Sequence, residues 1–362
     1  MPLQVALPES YMISADAQLL ERIWERKQQL GSQLLILGHH YQRDEVIQFA
    51  DYQGDSLKLA QHAASRGDAK YIVFCGVHFM AESADILSQP HQVVILPDMD
   101  AGCSMADMAS LGQVEDCWEI LTSLAGETVL PVVYINSTAE IKDFVGRRGG
   151  TICTSSNAAR AIKWAWEKKE KVLFLPDQHL GRNTAVRMGV SLDEMVLWDP
   201  ELLLGGNSPE ALKRARLILW KGHCSVHQRF RAERVEWARR EYPGIKIIVH
   251  PECPYETCKM ADSVGSTEFI KKTVSESPPG SLWGVGTEVN LVNRLARENP
   301  DKTVILLDPV VCVCTTMYRI DPQHLAWVLD NLAEGRIVNQ VKVPAQVAEG
   351  ARLALDRMLA LA

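Results

Sequence analysis

"LLILGHHYQ", residues 34–42, runs a Leu- and Ile-rich strand pattern into two histidines and a tyrosine. Two later stretches repeat that plan, "LPVVYINST" (130–138) and "IKIIVHPEC" (245–253). Each is an apolar run of about five residues, the length of an ordinary strand, and the three reach His39, Asn136 and His250. A small polar step follows 17, 19 and 16 residues later: Ser56, Ser155, and Ser266 with Thr267. Each step precedes an amphipathic helical pattern and is predicted to sit in N-cap position. Strand signals that alternate with helical signals predict an α/β protein with parallel sheets.

The repeat extends further. Each unit has a second strand pattern ("YIVFCGV", "KVLFLPD", "SLWGVGT"), a helix, and a third strand pattern ("QVVILPD", "ARLILWKG", "KTVILLD"). Just beyond the third strand lies a cysteine: Cys103, Cys224, and the pair Cys312–Val313–Cys314. His39 to Cys103 and His250 to Cys314 both span 64 residues, so the register selects Cys314 over Cys312. The middle unit is longer, with an insertion expected at about 181–209. The expected domains are 1–105, 106–224 and 225–314, each αβα, related by a pseudo-threefold. The C-terminal helices within 315–362 are expected to pack on the first domain with the Ser14–Leu30 segment, covering both chain ends.

Composition narrows the function classes. The chain has 362 residues, 47% hydrophobic and 23% charged, as in globular proteins with real cores. Net charge is −7 with no block of Lys and Arg, so no nucleic-acid partner is expected. No apolar run reaches the length of a membrane-spanning helix. The opening "MPLQVALPESYMISADAQLL" lacks a basic region followed by an apolar core, so no secretory signal is expected. Nine cysteines without close pairing suit a reducing compartment, hence a cytoplasmic location, with thiols available for metal or catalysis.

In open α/β sheets ligands gather beyond the carboxyl ends of the strands. Three cysteines from distant segments suit zinc with an open fourth position, or a 4Fe-4S cluster with one iron unbound by protein. An all-sulfur cage favours the cluster. Its open iron would act as a Lewis acid in dehydration chemistry. Ser56, Ser155, Ser266 and Thr267 read either as plain helix caps or as anchors for carboxylate and phosphate at helix N-termini. His39, Tyr41, His250 and Glu252 are candidates for proton transfer. Tyr134 and Asn136 read as turn residues or as neutral partners of a substrate. His227 reads as a cap or as a support for the site. Cys75, Cys117, Cys153 and Cys258 read as structural.

The set "GHHYQ", "GDSLKLA", "VVYINST", "CTSSNA", "LWKGHCSVHQRF", "VHPEC", "GSTEFI" and the C-x-x-M of "CTTM" resembles the quinolinate synthase family, in order, from about residue 34 to 335. The resemblance implies three αβα domains around a 4Fe-4S cluster. It also implies a transferase of NAD biosynthesis that condenses iminoaspartate with dihydroxyacetone phosphate, releasing phosphate and two waters. By position it implies Cys103, Cys224 and Cys314 as cluster ligands. Tyr41, His39, His250 and Glu252 would do acid–base work, while Ser56, Ser155, Ser266, Thr267, Tyr134 and Asn136 would contact substrate. A functional link to an L-aspartate-oxidising enzyme follows from the substrate. Family members vary at the positions of His40 and Tyr318, and some carry CxxCxxC in place of the CxC. A radical iron–sulfur enzyme of the diphthamide-synthesis type shares the three-cysteine plan, but the "YINST", "HPEC" and "GSTEFI" set argues against it. A non-enzymatic iron–sulfur sensor would need no such group of His, Tyr and Glu.

Overall fold

The computed structural model describes residues 6–14, 16–310 and 313–361, so Cys312 lies outside the described residues. The chain is α/β, with three small, mostly parallel sheets flanked by helices. Among the described residues fourteen strands build them. In the first sheet β1 (Leu34–His39), β2 (Tyr52–Gly54), β3 (Tyr71–Cys75) and β4 (Val93–Ile95) run parallel. The second holds β5 (Val129–Tyr134), β6 (Thr151–Cys153), β7 (Lys171–Leu175), β8 (Met195–Trp198) and β9 (Leu217–Trp220). The third holds β10 (Lys246–Val249), β11 (Ser263–Val264), β12 (Leu282–Gly286) and β13 (Thr303–Leu306). An edge strand, β14 (Gln340–Val341), joins the first sheet antiparallel to β4.

Every residue of β1 and of β5 is buried. That is the condition of a parallel strand covered by helices on both faces, and it explains why these stretches read as continuous apolar runs rather than as alternation. The same pairing recurs in each sheet. β1 lies between β2 and β3, β5 between β6 and β7, and β10 between β11 and β12. His39, Asn136 and His250 therefore lie at or just past the carboxyl end of an interior strand.

The polypeptide divides into two compact units, one of Met1–Cys103 with Val313–Pro344, the other of Ser104–Cys312 with Ala345–Ala362. In the first unit the Pro322–Ala333 helix packs on the Asp16–Leu30 helix. Its buried Asp330 receives Arg22 and Arg26, each at 2.7 Å, and the Tyr11 hydroxyl at 2.6 Å. The second unit carries both remaining sheets.

The last helix corrects one expectation. Ala345–Ala360 packs not on the first domain but against the Ala139–Arg147 helix and β6. Small residues make that approach possible. A Cβ placed on Gly146 would lie 1.8 Å from the Gly350 carbonyl oxygen, so the two backbones touch. Arg357 then donates to the carbonyls of Gly146 (3.1 Å) and Gly150 (2.6 Å), which lie near that helix's C-terminal end.

The stretch expected as an insertion also divides differently. The Gln178–Arg187 helix is the regular crossover after β7, so the added material begins beyond it. It supplies β8, an edge strand parallel to β9, and a turn in which Leu204 and Gly205 take positive φ.

Overpacking a close contact typically costs about 1–3 kcal/mol. Gly146→Ala should lower the unfolding free energy by about that much, read as a shift of the denaturant midpoint. Unchanged stability would mean that the two helices separate without cost.

Candidate active site

Within the second unit, the carboxyl ends of β5, β7, β9, β10 and β12 gather Tyr134, Asp177, Cys224, His227, His250, Glu252 and Thr287. Glu252 is at the centre. Its Oε2 lies 2.7 Å from His227 Nδ1 and 3.8 Å from His250 Nδ1, and the Tyr134 hydroxyl also hydrogen-bonds to the carboxylate. The other ring nitrogen of His227 is 3.1 Å from Thr287 Oγ1. The His227 and His250 rings stack with centroids 4.6 Å apart. Cys224 completes the group: its sulfur, a His227 nitrogen and a Glu252 oxygen all lie within 4.8 Å of one another.

The electrostatics follow from burial. Glu252 is fully shielded, which alone would raise its pKa, but its pairing with His227 and the hydrogen bond from Tyr134 outweigh this and hold it below the usual carboxylate range. Asp177 behaves in the opposite way. Burial, reinforced by the neighbouring Glu252 charge, pushes it well above its ordinary value. Its Oδ1 caps the Gln178–Arg187 helix at Leu180 N (2.8 Å), and its Oδ2 is buried without a hydrogen-bond partner. The two acids are thus pushed in opposite directions: this environment favours the negative charge on Glu252 and disfavours it on Asp177. Burial also keeps His250 neutral, pulled down to about 3.

The turn after β10 is made by its own sequence. His250 Nδ1 accepts the amide of Glu252 at 3.4 Å, and the His250 carbonyl accepts Cys253 N at 3.0 Å. Asn183 clamps it from outside, donating to the carbonyls of Pro251 and Cys253, each at 2.8 Å. The first unit builds the same turn after β1. There His39 Nδ1 accepts Tyr41 N at 3.1 Å and the His39 carbonyl accepts Gln42 N at 2.9 Å. An Nδ1 that accepts leaves the proton of a neutral ring on Nε2. Both histidines are therefore presented with Nε2–H as the outer nitrogen.

The predicted anchors are placed unequally. Ser266 is the N-cap of the Thr267–Ser275 helix, accepting from Phe269 N at 3.3 Å. Thr267 is buried and its hydroxyl has no hydrogen-bond partner. Ser56 and Ser155 are not caps. Asp55 caps the Ser56–Ser65 helix through Lys58 N, and Asn157 holds the N-cap position of the Ala158–Trp166 helix. The Asp55 carboxylate, directly ahead of its helix, competes well with a serine one position on. Ser155 and Ser266 line one cavity of about 350 Å³, together with Pro251, Thr184, Arg187 and Phe269. Asn136 directs a buried Oδ1 that has no hydrogen-bond partner.

Cysteines separate by environment. Cys75, Cys117 and Cys153 are buried, and burial pushes the Cys75 thiol up to about 12. Cys103, Cys224 and Cys314 are each half-buried, in the loops after β4, β9 and β13. In the first unit, Arg319 bridges Asp98 (2.9 Å) and Asp100 (3.2 Å), tying the loop that leads to Cys103 to the segment after Cys314. Arg43 lies over the Tyr318 ring at 3.8 Å and Gln42 donates to the Met317 carbonyl at 3.3 Å, so that segment also rests on the turn after β1.

The model of the family described as Quinolinate synthetase A protein matches residues 21–360. The chain belongs to that family. It is 58% identical over 355 residues to the quinolinate synthase of Acidobacterium capsulatum, covering 97% of this chain and 95% of that protein. It is 55% identical over 361 residues to that of Corynebacterium glutamicum, covering 99% and 92%. A Geobacillus quinolinate synthase is 56% identical over 359 residues, covering 98% and 97%. In this member of the quinolinate synthetase A family, no helix among the described residues is long and apolar enough to cross a membrane. Sequence reasoning left His227 undecided and missed Thr287, Asp177 and Asn183. The repeat register held a signal for two of them, since Asp177 and Thr287 lie within two residues after the second strands of their units.

His179, whose Nε2 is 2.7 Å from Gln228 Oε1, gives a pH test. Burial, aided by the Arg182 charge, lowers it to about 4. An unfolded His titrates near 6.5. Between these values the unfolded chain binds more protons, so this residue's contribution to stability falls as pH drops from about 6.5 to about 4. His179→Gln should flatten the wild-type decline of melting temperature across that window. Parallel profiles would show that His179 does not titrate as described.

Proposed function

We propose that this protein acts as a quinolinate synthase, condensing iminoaspartate with dihydroxyacetone phosphate to quinolinate, with loss of phosphate and two waters. One observation carries the reading beyond family membership. It is the buried chain Tyr134–Glu252–His227–Thr287 beside Cys224, a proton-handling network at the strand ends of an open α/β sheet.

Cys103, Cys224 and Cys314 are proposed to hold a 4Fe-4S cluster. The donor set fits: the three are half-buried thiols in equivalent loops, unlike the sealed Cys75, Cys117 and Cys153. When bound, a cluster with one iron free of protein supplies a Lewis acid for carboxylate, hydroxyl or imine oxygen and nitrogen.

The remaining chemistry belongs to this chain's side chains. Ionised Glu252 is the proton acceptor, and His227, held between it and Thr287, fixes the carboxylate in place. His250 and His39 offer neutral Nε2–H donors to a developing oxyanion. Tyr41, held in the His39 turn, is the proton donor for a departing hydroxyl. Ser266 and Thr267 sit at the N-terminus of a nine-residue helix, where free N–H groups favour an anion. With Ser155 and Ser56 they anchor phosphate and carboxylates, and Tyr134 and Asn136 contact the substrate. The three sheets are proposed to mark αβα domains at 1–105, 106–224 and 225–314. Work in the cytoplasm beside an L-aspartate-oxidising enzyme would supply the iminoaspartate.

Anaerobically prepared protein with about four irons per chain should form quinolinate from these two substrates; no product from fully loaded protein would refute the assignment. Cys103→Ser, Cys224→Ser and Cys314→Ser should each lose most iron and all activity, whereas Cys312→Ser should keep both. A colourless Cys312→Ser with a brown Cys314→Ser would reverse the ligand choice. Glu252→Gln keeps the shape and removes the base, so kcat should fall about 10²–10⁴-fold with iron retained. Turnover near wild type would make Glu252 structural.

A further inference from the structure

Cys224, His227 and Glu252 are three different donors, and their ligating atoms lie within 4.8 Å of one another. Thiolate, imidazole and carboxylate around an open position is a donor mixture of zinc sites. With arms of about 2.3 Å to sulfur and about 2.0–2.2 Å to nitrogen and oxygen, a tetrahedral ion needs donor separations of roughly 3.3–3.6 Å. His227 Nδ1 and Glu252 Oε2, at 2.7 Å, need to open slightly to admit an ion between them. The Cys224 sulfur has to close in, which a half-buried residue in a loop can do.

The supports around these donors are those of a metal site. A ligating imidazole ordinarily engages a fixed partner with its second nitrogen, and His227 Nε2 faces Thr287 Oγ1 at 3.1 Å. A ligating carboxylate is ordinarily hydrogen-bonded, and Glu252 accepts from Tyr134. His227 and Glu252 are 1% and 3% exposed, so their geometry is set by packing rather than by water. One thiolate and one carboxylate also neutralise a divalent charge, which removes the penalty of burying an ion.

We propose that, in the chain without its cluster, Cys224, His227 and Glu252 bind a single zinc ion. Binding releases the Cys224 thiol proton and the proton shared between His227 and Glu252 wherever it is present. Resting on the assignment of Cys224 to the cluster, the zinc-bound chain cannot accept iron and sulfide until the ion leaves. The site then decides between a correctly and a wrongly metallated protein.

The test is equilibrium dialysis of the cluster-free, full-length chain against zinc salt alone, with cobalt(II) as a spectroscopic substitute. One equivalent should bind, and the cobalt form should show the charge-transfer intensity of one thiolate rather than three. His227→Gln and Glu252→Gln should each weaken binding at least about 10-fold, and Thr287→Val about 10–100-fold. The double variant Cys103→Ser with Cys314→Ser should bind as the unaltered chain does. Circular dichroism keeps unfolded variants out of the comparison, and the cobalt spectrum of the unaltered chain decides the matter without any variant. Zinc that depends on Cys103 and Cys314 but not on His227, or a three-thiolate cobalt spectrum, would overturn the proposal. If the site behaves as described but zinc-loaded protein still assembles a full cluster with the zinc in place, the zinc site stands. Cys224 is then not a cluster ligand.

Discussion

Glu252 is buried at 3% exposure, and an unpaired carboxylate in such a place costs several kcal/mol. The chain meets that cost with the His227 imidazole, against which His250 stacks, with the Tyr134 hydroxyl, and with a neighbouring Asp177 whose own ionisation burial disfavours. Because each of these comes from a different strand end, the ionised carboxylate requires β5, β7, β9 and β10 to terminate together. Asn183, which holds the Pro251–Cys253 turn, brings the crossover helix after β7 into the same arrangement.

The turn itself is economical. A histidine at the last position of an interior strand, or just past it, accepts the amide two residues on through Nδ1, after β1 and again after β10. One local hydrogen bond thereby sets the tautomer and the ring orientation, and fixes the backbone of the candidate residue two positions on, Tyr41 in one case and Glu252 in the other. This is why "HHY" and "HPE" build equivalent turns despite little identity. Prolonged burial does the rest, keeping His250 neutral at physiological pH.

The cysteines are divided along the same lines. Those inside strands or on buried helix faces are shielded, and their thiols stay protonated and inert. Those placed in loops beyond third strands keep partial access and sit beside the polar strand ends. Position relative to the sheet, rather than residue type, separates the sealed sulfurs from the three in loops beyond third strands.

Much of this was legible in the amino-acid order, because the relevant signals are local or periodic. Buried parallel strands read as apolar runs, Ser266 reads as a cap ahead of an amphipathic helix, and three cysteines fall at one register. The departures share a cause. Ser56 and Ser155 lost their cap positions to Asp55 and Asn157, a choice between residues one or two positions apart that pattern alone does not rank. The Ala345–Ala360 helix is amphipathic wherever it docks; only the backbone contact of Gly350 with Gly146, 204 positions apart, selects its partner. His227, Thr287 and Asp177 likewise acquire their roles from a carboxylate on another strand. Sequence by itself determined the strands, the repeat, the two histidine turns and the candidate thiols, since these depend on neighbours a few residues away. Tertiary structure alone decided which buried charge is ionised and which groups stabilise it, because those energies arise from burial and from partners distant in the chain.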